Sequence, residues 1–202
     1  MFAQLDTKSV YSFMDSVVDL NSYVARAKEL GYQALGLMDR DNLYAAYHFA
    51  QLASRNGLRP LIGMEANLFY EGRKIPFRLL AKNNQGYKNL MKIVTRGFTE
   101  GYYYKPRVDY EVLEKYHEGI IALSACLAGE IPNKILKEDF DGARAAANKM
   151  RDIFGENNFF LELQDHGIRQ QTQVNTSLIR LSRELGIPMV VTNDVHYIRE
   201  ED

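Results

Sequence analysis

At 202 residues, 46% hydrophobic and 25% charged, with 25 Lys and Arg against 26 Asp and Glu, the chain has the composition of an ordinary globular domain. Its apolar runs fall short of the ~18 residues of a membrane span, Asp6, Lys8, Asp15 and Asp19 replace any secretory core, and a lone Cys126 excludes an intramolecular disulfide or a Cys-built zinc ribbon. The single cysteine suits a reducing, cytoplasmic setting, and the missing basic surplus argues against a module that grips a nucleic-acid backbone alone.

In chain order, Phe2–Leu5 reads as a short strand. Leu20, Tyr23, Val24, Ala27 and Leu30 follow at helical spacing, with Asp19 as N-cap and Gly31 as stop. Ala34–Met38 is a compact apolar run of strand character, residues 43–56 form a helix ended by Gly57, and Pro60–Glu65 is a strand. Phe77–Ala81 is the next strand, entered into a helix through the turn Lys82–Gly86, with Tyr87, Leu90, Met91 and Val94 on one helix face. Then come strand Ile120–Leu123, helix Ala143–Phe154, strand Phe159–Leu163, a helix marked by Val174, Leu178, Leu181 and Leu185 and stopped by Gly186, and strand Met189–Thr192. Seven apolar strands separated mostly by helices predict an α/β fold with a parallel sheet covered on both faces, in a length that allows one domain over 1–202 or two small ones.

Neither G-x-G-x-x-G nor G-x-x-x-x-G-K-[ST] occurs. Polar residues gather just after strands instead: Asp6 and Lys8; Asp39, Arg40 and Asp41; Glu65; Ser124 and Cys126; Gln164, Asp165 and His166; Asn193, Asp194 and His196. In a barrel that end of the strands forms the active rim, so the pattern favours a barrel over an open sheet. Asp194-x-His196 puts two ligand types on one side of an extended segment, usable by a divalent ion with Glu65 and Cys126. The alternative is a turn-capping Asp194, a surface His196 and a Cys126 that packs as a small apolar residue. Glu65, ending a buried strand, needs a partner, which a metal, Lys8 or Arg40 could supply. Tyr102-Tyr103-Tyr104-Lys105-Pro106-Arg107 mixes rings and cations as single-strand stacking platforms do, but a loop whose tyrosines cover the core is the favoured expectation.

Taken together, ordered fragments of the sequence resemble one family. They include Ser9-Val10-Tyr11-Ser12-Phe13-Met14-Asp15, Arg59-Pro60-Leu61-Ile62-Gly63-Met64-Glu65, Tyr104-Lys105-Pro106-Arg107, Leu123-Ser124-x-Cys126-Leu127, Gln164-x-His166-Gly167 and Thr192-Asn193-Asp194-x-His196-Tyr197. This set resembles the PHP (polymerase and histidinol phosphatase) domain at the N-terminus of bacterial DNA polymerase III alpha subunits. The resemblance implies a distorted (β/α)7 barrel, incomplete at its C-terminus, cut from a much longer polymerase chain. Metal-holding members open with His-x-His-x-His-Ser and carry Thr-Asp-His-Gly after the second strand; here those stretches read Gln4-Leu5-Asp6-Thr7-Lys8-Ser9 and Met38-Asp39-Arg40-Asp41. The resemblance thus marks Asp6, Lys8, Asp15, Arg40, Glu65, Cys126, Asp194 and His196 as positions of a degraded metal site, with Pro76 as a further replaced ligand. It implies no catalytic residue and no cofactor in this chain, with Lys8 and Arg40 balancing the carboxylates in place of ions. The alternative it leaves is a metal-dependent phosphoesterase or a proofreading 3′–5′ exonuclease, with Zn2+ or Mn2+ on Asp15, Glu65, Cys126, Asp194 and His196. Templated DNA synthesis, with its Mg2+ and its DNA, would belong to the full-length protein. The implied partners are the rest of the alpha chain and a proofreading exonuclease or other replisome subunits, and no membrane.

Overall fold

The computed structural model describes residues 3–202, so Phe2 of the first expected strand lies outside it. The chain divides into two compact units, one joining the residues up to Glu65 to Asn193–Asp202, the other formed by Ala66–Thr192.

The first unit contains α1 (Leu20–Glu29), β1 (Ala34–Arg40), α2 (Ala46–Arg55) and the first half of β2 (Arg59–Tyr70). Asp19 caps α1 as its sequence predicts, its carboxylate accepting from the Asn21 and Ser22 amides at 3.0 Å each. Leu20, Tyr23, Val24 and Ala27 recur at helical spacing, so one face of α1 packs with Leu35, Leu37 and Phe49 into a continuous apolar core. β1 and β2 pair in parallel, from Ala34 opposite Arg59 to Arg40 opposite Glu65. The first expected strand is realised as two isolated parallel bridges, Gln4 to Leu35 and Thr7 to Val195. Residues 4–8 therefore run between β1 and the segment Asn193–His196, with Gly36 N–H donating to Gln4 O (2.6 Å) and Lys8 N–H to Val195 O (2.9 Å). Gly36 permits this approach, since a Cβ there would stand 2.4 Å from the Leu5 carbonyl oxygen.

The second unit holds the rest of β2, then β3 (Arg73–Ala81), α3 (Asn84–Thr99), α4 (Tyr110–Tyr116), β4 (Ile120–Leu123), α5 (Glu130–Leu136), α6 (Phe140–Phe154), β5 (Phe159–Leu163), α7 (Arg169–Leu185) and β6 (Met189–Val191). Three expectations are corrected here. The sheet is not wholly parallel: β3 runs antiparallel to β4, while β4–β5 and β5–β6 are parallel. β3 follows β2 after only Glu71 and Gly72, both at positive φ (49° and 73°), which is the backbone of a tight hairpin and leaves no room for a crossover helix. The last strand is not covered on both faces, for Met189 and Val191 are exposed. Finally, Tyr102, Tyr103 and Tyr104 do not cover the core but stand in solvent. The expected turn at residues 82–86 is present, with Asn83 capping α3 through the Gly86 amide at 2.9 Å.

Candidate functional site: a carboxylate cluster around Lys8

A strand-like segment alternates its side chains, so Asp6 and Lys8 emerge on one side of residues 4–8 and Thr7 on the other. Thr7 meets Tyr23, whose hydroxyl lies 2.8 Å from its Oγ1 and donates to the Gly36 carbonyl at 2.7 Å. Burial pushes the Tyr23 phenol far above its ordinary range, so it is a fixed neutral donor.

Lys8, on the opposite side, is 0% exposed, one of the large side chains that are fully buried among the described residues. Its ammonium lies 2.5 Å from Asp6 Oδ1, 3.3 Å from Glu65 Oε2 and 3.4 Å from Asp194 Oδ1. The register that sets Arg40 opposite Glu65 brings the next cation in: Arg40 Nε is 3.0 Å from Glu65 Oε1, and its Nη1 is 3.1 Å from Asp15 Oδ1. His196 Nδ1 donates to the Asp15 carbonyl oxygen at 2.8 Å, a carbonyl being able only to accept, while Nε2 faces Asp194 Oδ1 at 3.2 Å. Four carboxylates thus surround two fixed cations, and the negative excess leaves each cation with more than one partner.

Seven of the eight sequence-marked positions, Asp6, Lys8, Asp15, Arg40, Glu65, Asp194 and His196, converge in this cluster. Of the partners considered for Glu65, both Lys8 and Arg40 are engaged. The eighth position, Cys126, belongs to the second unit, where Gln171 Nε2 reaches its Sγ at 3.4 Å and Gln171 Oε1 accepts from the His166 amide at 2.8 Å. Pro76 lies in β3.

Sequence reasoning placed Asp39 on the rim without giving it a role, and it passed over the pair Arg78 and Glu162. Asp39 is buried and binds the turn after Lys8, accepting from the Ser9 amide (2.7 Å), the Ser9 hydroxyl (2.8 Å) and the Ser12 hydroxyl (2.7 Å), which fixes where Lys8 enters. In the second unit, Arg78 Nη1 meets Glu162 Oε2 at 3.2 Å with both side chains buried. Glu162 also accepts from the Thr192 hydroxyl and from Gln164 Nε2 (3.1 Å), and its amide donates to Ser124 Oγ at 2.9 Å. The available signal was one charge, of opposite sign, inside each of the two apolar runs Phe77–Ala81 and Phe159–Leu163.

Compared with known families, residues 4–166 match the PHP domain model. The chain belongs to the PHP domain family. Similar full-length relatives are the DNA polymerase III subunits alpha of Treponema pallidum (43% identical), Deinococcus radiodurans (39%) and Aquifex aeolicus (37%), each matched over 100% of this chain. The PHP chain spans only 18%, 16% and 19% of those relatives. Among solved structures it is similar to a protein described as a metal-dependent phosphoesterase from Bifidobacterium adolescentis, with TM-score 0.65, 12% identity, and coverage of 96% of this chain and 87% of that one. An amidohydrolase from Chromobacterium violaceum gives TM-score 0.61 at 14% identity, covering 99% and 89% of the two chains. At such identities the structural likeness speaks for the fold, and the fold is the barrel-like α/β fold of PHP proteins. No helix among the described residues is long and apolar enough to cross a membrane.

Proposed function

We propose that the chain is the PHP domain of a DNA polymerase III alpha subunit and that it is a non-catalytic module. In this reading the domain contributes architecture and a docking surface for a proofreading exonuclease, in the cytoplasm. Templated nucleotide addition, with its Mg2+, belongs to the rest of the polypeptide.

One observation carries the non-catalytic part: a fully buried ammonium, that of Lys8, fills the space between the Asp6, Glu65 and Asp194 oxygens. The donor set does not fit a divalent ion there. A metal needs lone pairs turned toward it, whereas Lys8 and Arg40 present only N–H groups and positive charge. Among the described residues no three His, Cys, Asp or Glu side chains are grouped to hold a metal ion. Removing metals from a carboxylate cluster leaves uncompensated repulsion, and two fixed cations offset it without an ion.

The test is metal analysis of protein purified without chelator, together with its melting temperature with and without EDTA and a phosphoesterase assay supplemented with Mn2+ or Zn2+. The expected result is substoichiometric metal, an unchanged melting temperature and no turnover. Near-stoichiometric zinc or manganese, or metal-dependent hydrolysis abolished by His196→Ala, overturns the reading.

A further inference from the structure

We propose that the exposed aromatic and basic face built by α3 and the loop Gly101–Arg107 binds single-stranded nucleic acid. This goes beyond the polymerase reading and rests on residues of the second unit alone.

The loop defeats the expectation that its rings are buried: Tyr102, Tyr103 and Tyr104 are 59%, 63% and 83% exposed. Three consecutive rings in water forgo a large apolar gain. Tyr104 is also held at φ +59°, a conformation uncommon for a bulky side chain, at the tip of a turn closed by the Tyr103 amide donating to Lys105 O at 3.1 Å. The backbone thus meets a conformational cost in a turn that leaves Tyr104 in solvent.

The rings are ordered against one another and against a cation. Tyr103 and Tyr104 stand edge to face with centroids 4.7 Å apart, and Phe98 stacks beside Tyr102 at 6.3 Å. The Arg107 guanidinium lies 4.4 Å from the Phe69 centroid and 4.9 Å from that of Tyr103, so the underside of the platform is braced and positively charged.

Leading to this platform, α3 carries Lys88, Lys92 and Arg96 at four-residue intervals, hence on one face, and contains no acidic residue. Lys105 adds charge at the tip. The acidic groups flanking the loop are Glu100, paired with Arg96, and Asp109, occupied as the N-cap of α4, while α4, packed against α3, adds Glu111 and Glu114 beside its own Lys115. The near-neutral total of the chain conceals this, because the second unit carries 18 basic against 15 acidic residues while the first carries 7 against 11.

A row of cations beside rings that remain largely exposed is what a single strand requires: phosphates follow the charge, and bases stack on the ring faces left open. Duplex DNA hides its base faces, and an apolar protein segment has no use for the cationic row.

The experiment is photocrosslinking of a 5-iodouracil-substituted oligothymidylate to the intact polypeptide, with adducts located by mass spectrometry and affinity followed by fluorescence anisotropy. Adducts are expected on Tyr102–Tyr104. Tyr103→Ala with Tyr104→Ala should weaken binding about tenfold or more, because each stacked base is worth ~1–3 kcal/mol. Tyr104→Phe should bind like the parent. Lys88→Gln with Lys92→Gln should flatten the salt dependence. All four positions are exposed, and an unchanged circular dichroism spectrum and melting temperature verify that the variants fold. Adducts confined to other regions, affinity unmoved by the double alanine variant, or crosslinks showing a protein segment on the loop in place of the oligonucleotide would each overturn the proposal.

Discussion

Lys8 in the first unit and Arg78 in the second are both buried cations on extended backbone, and the company each keeps is different. Lys8 stands among the carboxylates of Asp6, Glu65 and Asp194, so the local balance is negative and the ammonium offsets several charges at once. Arg78 meets Glu162, which also accepts from the neutral donors Thr192 and Gln164. Several carboxylates lose their common partner when the Lys8 ammonium is removed, whereas the Arg78–Glu162 contact can be tested by replacing both of its members. Elsewhere the second unit sets some of its cations against rings, as at Lys149, 3.3 Å from the Tyr110 centroid.

The largest expected effect follows from that asymmetry. Lys8→Met takes the ammonium away from Asp6, Glu65 and Asp194 at once, and urea unfolding should show a loss of about 3–5 kcal/mol; a loss below about 1 kcal/mol would mean that the carboxylates do not depend on the ammonium. Next, Arg78→Met alone should cost about 3 kcal/mol, and adding Glu162→Gln should recover much of it, with a double-mutant coupling of about 2 kcal/mol. The same cycle on Lys8 and Asp6 should recover less, because Glu65 and Asp194 remain. If the two cycles give equal coupling, the distinction between cluster and pair is lost. Arg40→Ala probes the rim of the cluster: its side chain is 40% exposed, so solvent screening limits the loss to about 1 kcal/mol, shrinking further as salt is added.

The smallest effect is at Asp19, whose carboxyl is held below its ordinary pKa by the Ser22 side chain and amide. A depressed folded-state pKa contributes stability above the unfolded value of about 4 that is lost as pH falls through the folded one. Asp19→Ala should therefore cost about 1 kcal/mol near neutrality and progressively less in acid, in thermal melts across that range.

The helices and most strands were legible in the sequence because their signals are local. Asp19 before an apolar stripe predicts α1, and Gly186 after Leu185 predicts the end of α7, which the structure closes with Gly186 at φ +68°. The direction of β3 was hidden, since the residues between Glu65 and Phe77 were not read as strand and the Glu71–Gly72 turn went unnoticed. Within the candidate site, the spacing of Asp194 and His196 predicted that these two side chains share a face. What Lys8 touches depends on the register of β1 against β2 and on the segment around Asp194, nearly two hundred residues away, and no local pattern encodes either. The exposed tyrosines were misread for a related reason: composition reports that a ring has an apolar body, not that its backbone holds it outward.

The segment Gln4–Lys8 is held on one side by β1 and on the other by Val195, and Ser16 Oγ bonds the His196 carbonyl across a separation of 180 residues. During synthesis the N-terminal half therefore leaves the ribosome long before its last neighbour exists. Until then Lys8 lacks the Asp194 carboxylate, and the Lys8 amide and the Asp6 carbonyl have water in place of Val195. Contacts this distant in sequence close late and slowly. A nascent chain stalled just short of Asn193 would thus present an unfinished strand to whatever chaperone or stray edge reaches it first.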